Sequence, residues 1–473
     1  MKARRAPRVW RRSSPASECV RCQSLRRENE ALRQEIASLR ESLVEAHRAG
    51  KRQAAPFSKG PPKMAPQRPG RKPGKDYGVK ARRVIPESID EIHTVPPPAC
   101  CPYCGGDVVE TSHTAAQYQE DIPPVKPLIR RFDVHFGRCV RCKRPVRGRH
   151  PLQTSDALGA AGVHIGPRAL ALAADLNKRI GAPFGKVSAV FCTAFSLSIT
   201  RGGISQALDR VAAALAPTYD TLVQQIQSAS VVAADETGWK VGGRLWWLWA
   251  FVTPRVTVYR IMDGRGYDEA SLVLGADFDG KLLRDGWAPY RRFEHATHQT
   301  CLAHLVRRCA ENLETAKQGA ARLPHAVLDI LRRALRLRDH WLDHPPTPHG
   351  RATHAGRVAA AMNHFLAWRP TDDENRKLVK HLRKERDALF LFLKNPIVPA
   401  TNWWGEQAIR PAVVTRKVWG GNRTPRGALT QQTIASVLRT CHQQRVDPCL
   451  LVEELLRSPV ARIASLPSLA SGP

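Results

Sequence analysis

Hydrophobic positions along this chain fall into blocks with different periods, and each block predicts its own kind of element. From Cys22 the run CQSLRRENEALRQEIASLRESL repeats every seven residues, with Leu25, Leu32 and Leu39 at one core position and Asn29, Ile36 and Leu43 at the other. With the leucines at d, Asn29 is a polar a residue, which favours a parallel, in-register dimer at some cost in stability. Glu28 and Glu35 fall at g and Arg33 and Arg40 at the following e, so the flanks are complementary across a dimer. Residues 22–46 therefore predict a leucine-zipper coiled coil that makes a homodimer or a higher oligomer. The bland alternative is a short amphipathic helix packed on the rest of the chain.

After the zipper the apolar pattern stops. Residues 47–86 are rich in Pro, Gly, Lys and Arg and nearly empty of aliphatics, so they cannot bury a core and predict a flexible linker. Short β-like runs such as LIRRFDVHF follow within residues 87–150. Helical spacing returns in RALALAADLNKRI, PFGKVSAVFCTAF and RGGISQALDRVAAAL, so residues 151–225 form a helical region with the look of a helix-turn-helix reader or of an ordinary helical hairpin. From residue 230 the period changes to that of strands: SVVAADETGWKV, RLWWLWAFVT and RVTVYRIM, then a helix YDEASLVLG and a further strand in GKLLRDGWAPY. A three-strand meander, a helix and another strand is how a ribonuclease H-like core begins. Residues 226–425 are assigned to that core, with a helical insertion at about 305–395 exemplified by AVLDILRRALRLRDHWL. Residues 426–473 form a C-terminal helical tail. The fold class is thus multidomain α+β: coiled coil, cysteine module, helical region, and an α/β core with a helical insertion.

Charge narrows the partners. The chain of 473 residues carries 74 Lys and Arg against 42 Asp and Glu, a formal net charge of +32. Residues 1–85 hold 23 Lys and Arg and 7 Asp and Glu, which is +16, so the basic N-terminal arm and linker concentrate half of the excess. Such an excess predicts a polyanionic partner, nucleic acid first. In the linker, RPGRKPG with Arg71 and Lys72 either lies along a minor groove or merely solubilises. The N-terminus shows no apolar segment of signal-peptide length and no run of about 18 apolar residues occurs, so an intracellular protein without a membrane partner is expected.

In a reducing compartment, cysteine spacing reads as metal binding rather than as disulfides. Cys101 and Cys104 in CPYCGG, and Cys139 and Cys142 in CVRCKRP, give two CxxC pairs separated by 34 residues. Each pair can place two thiolates on a tight knuckle, and four thiolates leave no open position, so a structural Zn2+ in a zinc ribbon is expected over residues 87–150. Cys19 and Cys22 precede the zipper and are read as a reduced pair.

The acids stand out in so basic a chain. Asp235 ends the apolar part of its run and Asp285 ends another, where a side chain emerges at a sheet edge within reach of a ligand. Phosphoryl transfer on DNA by two Mg2+ (or Mn2+) ions about 3.5–4 Å apart needs a third hard carboxylate, and Glu406 in NWWGEQAIRP is the candidate. Arg410, Arg416 and Lys417 follow it as candidate phosphate contacts. Each acid also has a structural reading: Glu406 with Arg410 as an i,i+4 pair, Asp235 as a turn cap, Asp285 with Gly286 as a turn. Glu236 points to the other face of its strand and is not expected to be a ligand. Pro411 cannot donate a hydrogen bond to Gln407, so the helix carrying Glu406 and Lys417 is expected to kink or to begin just upstream.

DETGW (235–239), LRDGWAPY (283–290), QTCLAHLVRR (299–308) and NWWGEQAIRPAVVTRK (402–417), followed by RGA (426–428), together resemble the DDE transposases of the insertion-sequence sixty-six family. The zipper, the PFS-plus-basic linker, CPYCGG with DIPP, and SVLRTCHQQRVDPCLLVEELL extend the resemblance over nearly the whole chain in order. It implies that Asp235, Asp285 and Glu406 are the catalytic acids of a two-metal site, and that Arg410, Arg416 and Lys417 are the basic residues after the Glu. Cys301 and His304 match the family's C-x-x-H segment, with His304 read as structural or as a substrate contact. The resemblance further implies a transposase acting on terminal inverted repeats and target DNA, with accessory element-encoded proteins, in the bacterial cytoplasm at the nucleoid. Thr401, Asn402, Trp403 and Gln407 depart from the family pattern around Glu406. That departure supports the alternative of an inactive zinc-ribbon DNA-binding regulator or remnant copy, and a different nuclease on the same core is a third reading.

Overall fold

The heptad region folds as one helix, α1 (Val20–Lys51), which covers the expected zipper and runs five residues past it, the difference between Lys51 and position 46. Leu25, Leu32, Ile36 and Leu39 on α1 are 49–62% exposed. The computed structural model describes residues 20–51, 83–162 and 164–457. The basic arm with Cys19, linker residues 52–82 with Arg71 and Lys72, and residues 458–473 lie outside the described residues. The chain divides into two units, Met1–Asp121, which holds Cys101 and Cys104, and Ile122–Pro473, which holds Cys139 and Cys142.

The second unit opens with a two-stranded antiparallel ribbon, β1 (Phe136–Arg138) and β2 (Pro145–Arg147), around Cys139 and Cys142. Of the run LIRRFDVHF only Phe136 joins a strand. Leu128 and Ile129 are 73% and 88% exposed, while Phe132 packs on the His150 ring with centroids 5.5 Å apart.

Helices follow where helical spacing predicts them. They are α2 (Pro167–Ala174), continued by a π-helical turn over Asp175–Arg179, then α3 (Phe184–Phe195) and α4 (Arg201–Gln227). The break between α3 and α4 ends on Thr200, whose hydroxyl accepts the Gly203 N–H at 3.0 Å and so caps α4.

Next come β3 (Val231–Val241), β4 (Arg244–Val252), β5 (Thr257–Met262), α5 (Tyr267–Leu274), β6 (Lys281–Arg284) and β7 (Thr297–Thr300). They form one mixed sheet in the order β5-β4-β3-β6-β7. The β3–β4 hairpin turns on Gly242 and Gly243, with φ of 57° and 81°, a conformation that L side chains rarely adopt. β6 and β7 run parallel to β3, and β6 meets β3 only over Val231–Ala233 while pairing with β7 on its other side.

This register corrects the sequence expectation for Asp235. Its strand does not end there: β3 continues to Val241 because β4 stays paired with it through Arg244. Asp235 lies in mid-strand, two residues beyond Ala233, where the parallel partner has already ended.

Between β7 and the last helices, α6 (Leu302–Thr315), α7 (Arg322–Asp343), α8 (Pro348–Leu366), α9 (Asp373–Lys384) and α10 (Leu391–Lys394) occupy the expected insertion. They share a core of their own, built on Leu305, Val327, Leu331, Val358, Leu378 and Phe392. Then come α11 (Trp403–Trp419), α12 (Pro425–Gln443) and α13 (Pro448–Arg457). α11 starts at Trp403 and is continuous through Pro411, then stops at Gly420 with φ of 83°.

The two faces of the sheet follow the period-2 rule. Val232, Ala234, Trp249, Phe251, Val258 and Leu282 pack with α4 and with Ile434, Val437 and Leu438 of α12. Ala233, Trp239, Leu248, Ala250, Tyr259 and Leu283 pack with Ala408 and Ile409 of α11. The core of the first face continues from residues 170–226 through the strands to residues 434–455, so the helical region and the last helices share one interior with the sheet.

The outer strand β5 does not leave its edge bare. Ile261 N–H donates to Gln432 Oε1 at 3.0 Å, Tyr259 N–H to Ser436 Oγ at 2.8 Å and Thr257 N–H to Thr440 Oγ1 at 3.1 Å. Four residues of helix rise about 6.0 Å and two residues of strand about 6.8 Å, so a polar stripe on α12 matches the free N–H groups of an edge strand. Open edges are a route to unwanted pairing, and this one is covered.

Candidate active site

Parity along β3 sorts the acids. Asp235 shares the face of Ala233, toward α11, and Glu236 shares that of Ala234, toward Tyr290 and α5. Glu236 is fully engaged there. It accepts Arg265 Nη2 at 2.7 Å and Tyr290 Oη at 2.5 Å, and Arg265 is itself stacked between Trp247 and Trp287, at 4.5 and 4.1 Å from their ring centres. Glu236 therefore supports the strand rather than standing free as a ligand, as the sequence predicts.

Asp285 follows the last residue of β6, and its Oδ1 accepts the Trp287 N–H at 2.8 Å, which closes a tight turn. That turn is clamped from the insertion. Arg284, 2% exposed, donates to Glu385 Oε2 at 2.5 Å and to the Asp285 carbonyl at 3.0 Å. Arg291 donates to the other oxygen of Glu385 at 2.8 Å and to the Gly286 carbonyl at 3.2 Å. Glu385 was not singled out from sequence. Among the four Glu residues of this basic helical stretch, Glu311, Glu314, Glu374 and Glu385, only burial distinguishes it.

Glu406 lies in the first turn of α11, and the approach of that helix to β3 depends on its neighbours. A Cβ on Gly405 would stand 2.9 Å from Asp235 Cβ and 2.8 Å from Asn402 Oδ1. Asn402 is completely buried: its amide donates to the Ala234 carbonyl at 2.9 Å and its backbone N–H to Cys301 Sγ at 3.1 Å. Asn402 thus ties α11 both to β3 and to the start of α6. Sequence reading passed over Gly405 and treated Asn402 only as a departure from the family pattern.

The electrostatics report the same convergence. Burial pushes the Asp235 carboxyl up to about 8, with Glu236, Asp285 and then Glu406 adding like-charge repulsion. Asp285 and Glu406 are thus near enough for their charges to act on Asp235. The structure also gathers Cys301 Sγ, a ring nitrogen of His304 and a Glu406 carboxylate oxygen within 4.8 Å of one another.

The basic residues after Glu406 take different positions. Arg410 and Lys417 are exposed and fall four and eleven residues after Glu406, on the same side of the helix. Arg416 reaches back to the β3 hairpin, donating to the Gly238 carbonyl and to Thr237 Oγ1 at 3.3 Å. The tryptophan pair divides as well: Trp404 packs between two core clusters, and Trp403 is 59% exposed.

The two cysteine knuckles repeat one backbone pattern. In the first, Gly105 N–H donates to the Cys101 carbonyl at 2.9 Å and Gly105 has φ of 73°. In the second, Lys143 N–H donates to the Cys139 carbonyl at 2.9 Å and Lys143 has φ of 60°. The backbone N–H groups of Tyr103 and Cys104 lower the Cys101 thiol below the ordinary range. Those of Cys142 and Arg141, with the Cys142 side chain, lower the Cys139 thiol.

A mixed sheet carrying Asp235 and Asp285, joined to a helical insertion and preceded in the chain by a long helix, defines a multidomain α+β protein. A family model described as "Transposase IS66 family" matches residues 162–430, which include all three candidate acids. The chain belongs to that family. It is also similar to two proteins of Sinorhizobium fredii that are described only as uncharacterized. Similarity to y4qI is 25% identity over 286 residues, 53% of this chain and 52% of that protein. Similarity to y4hP is 24% identity over 442 residues, 85% of this chain and 75% of that protein. The chain thus spans about half the length of y4qI. No helix among the described residues is long and apolar enough to cross a membrane.

Proposed function

We propose that this chain is a DNA transposase that binds the terminal inverted repeats of a mobile element and catalyses Mg2+- or Mn2+-dependent strand cleavage and strand transfer at Asp235, Asp285 and Glu406. One observation carries the reading: α11 sits directly on Asp235 through Gly405, and Asp285 and Glu406 raise the Asp235 carboxyl. The strand order β5-β4-β3-β6-β7, three antiparallel strands followed by two parallel ones, supports a ribonuclease H-like core.

Asp235, Asp285 and Glu406 fit a pair of hard cations by donor chemistry. Such ions, when bound, would activate the nucleophile and stabilise the leaving 3' oxygen. The protein's own contribution is to hold the acids and the DNA. The Arg284–Glu385–Arg291 cluster holds the Asp285 turn, Asn402 holds the start of α11, and Arg410 and Lys417 offer phosphate contacts on the side of α11 that carries Glu406. Arg416, which also braces the hairpin, is proposed with them as a phosphate contact. Exposed Arg332, Arg333 and Arg336 on α7 extend the basic surface, and Trp403 offers a stacking face to an unpaired base.

The proposal includes a structural Zn2+ held by Cys101, Cys104, Cys139 and Cys142, supported by their spacing and by the matched knuckles. It includes a homodimer or higher oligomer through residues 22–46, supported by the exposed apolar stripe on α1. The α3–α4 pair belongs to the DNA-binding part, as do Arg71 and Lys72 of the linker. Accessory element-encoded proteins and a place at the bacterial nucleoid complete the picture.

The test is end cleavage of a labelled inverted-repeat duplex with Mg2+, with Asp235→Ala and Glu406→Ala as controls. Cleavage by the unaltered chain and none by either variant is the expected result. Binding without metal-dependent cleavage would overturn the reading.

A further inference from the structure

Cys301, His304 and Glu406 do not form the donor set that a hard cation selects. One sulfur, one imidazole nitrogen and one carboxylate oxygen lie within 4.8 Å of one another. Mg2+ prefers oxygen, whereas thiolate and imidazole select Zn2+ and related metals. Ligand atoms around a tetrahedral zinc stand about 3.5 Å apart, so side-chain shifts of about an ångström would close this set on an ion.

Three further observations point the same way. Cys301 is the N-cap residue of α6, which places His304 one turn on, while Glu406 lies in the first turn of α11. Two helix starts thus converge, each with backbone N–H dipoles that favour an anionic ligand. Cys301 Sγ already serves as an acceptor, from the Asn402 N–H at 3.1 Å. Finally, His304 Nδ1 and Asn402 Oδ1 are buried without a hydrogen-bond partner. Buried polar atoms are rarely left in that state, and a metal with its bound water would engage a ring nitrogen there.

We propose that Cys301, His304 and Glu406 form a second, softer metal site, which takes Zn2+ or a similar thiophilic divalent cation and leaves one position open to water. On binding, the sulfur–metal bond replaces the Cys301 S–H bond and the proton leaves to solvent. This inference rests on the proposed role of Glu406 in one respect: with Glu406 shared, the soft ion and the hard pair compete for the same carboxylate. Thiophilic metal then acts as an inhibitor of Mg2+-dependent cleavage.

Co2+ is the probe, added to the metal-free full chain, and the thiolate-to-cobalt charge-transfer absorption that depends on Cys301 is followed as the difference from Cys301→Ser, in which the bands of the other cysteines cancel. The unaltered chain is expected to develop this band as Co2+ is added, and Cys301→Ser to lose it. His304→Ala is expected to bind about tenfold or more weakly. Cys309→Ser is the control, because Cys309 is buried in the core of the insertion. A band of equal strength in the unaltered chain and in Cys301→Ser would overturn the site. His304 is only partly buried, so His304→Ala keeps the test open should Cys301→Ser misfold.

The measurement needs no cleavage, which separates it from the transposase reading. Asp235→Ala is expected to abolish cleavage and keep the band. Where Mg2+-dependent cleavage is present, excess Zn2+ should inhibit the unaltered chain far more than His304→Ala. Equal inhibition of the two would overturn the sharing of Glu406.

Discussion

Arg284 Nη1 and Glu385 Oε2 lie 2.5 Å apart with both side chains sealed from solvent, at 2% and 0% exposure. The pair joins the last residue of β6 to the end of α9, and so ties the helical insertion to the turn that carries Asp285. Removing one partner of a buried pair leaves an uncompensated charge, here two, since Arg291 uses the other carboxylate oxygen. Glu385→Ala should therefore cost about 3–5 kcal/mol in urea denaturation. Where the variant remains folded, cleavage should fall with it, because the Asp285 and Gly286 carbonyls lose positioned donors.

Asp235 predicts a pH dependence of stability. Its folded value of about 8 lies above the ordinary 3.8. Between those values the native chain keeps a proton that the unfolded chain has lost, so stability falls as pH rises. The contribution is fully present below about pH 4 and is gone by about pH 8. Melting temperatures of metal-free protein should fall over this window, and Asp235→Asn should flatten the slope. Mg2+ or Mn2+ should raise the melting temperature more at the alkaline end, where the acid is ionised.

Gly405→Ala tests the close approach of α11 to β3. Alanine favours a helix interior by roughly 0.5–1 kcal/mol over glycine, so a purely local effect would stabilise. The added methyl meets Asp235 Cβ and the Asn402 amide at 2.8–2.9 Å, however, so α11 has to lift from the strand. The expected outcome is lower Mg2+-dependent cleavage than in the unaltered chain, with no gain in melting temperature. A gain in melting temperature with full cleavage would contradict the packing described.

The zipper makes a prediction about assembly. Leu32 and Ile36 are half exposed on α1, which a dimer would cover. Replacing both with Lys should shift the chain to monomer in sedimentation experiments and leave the fold of the mixed sheet unchanged. Asn29→Ile should raise the thermal stability of the dimer and loosen its choice of oligomer, because the polar a residue trades stability for register.

Much of the fold was legible from local pattern. Period-2 runs marked β3, β4 and β5, and helical spacing marked α2, α3 and α4. Chemistry as well as pattern made Asp235, Asp285 and Glu406 candidates, because metal-dependent phosphoryl transfer needs carboxylate ligands. The exact end of β3 was not legible: a strand's length depends on which neighbour keeps pairing with it, and β4 kept pairing where β6 had stopped.

The sequence by itself determined what each segment can do alone: which stretches are helix or strand, which face is apolar, which cysteines come in pairs, and which residues can carry metal chemistry. These properties depend on neighbours a few residues away. Only the tertiary structure decided which distant segments meet. It put Gly405 against Asp235, turned Arg416 to the hairpin backbone while Arg410 and Lys417 face outward, and buried Glu385 between two arginines. It also gave the polar residues inside α12, Gln432, Ser436 and Thr440, an edge strand to satisfy. Nothing in a local pattern distinguishes a polar residue facing water from one facing an unpaired strand, because the difference is made by a partner that arrives from elsewhere in the chain.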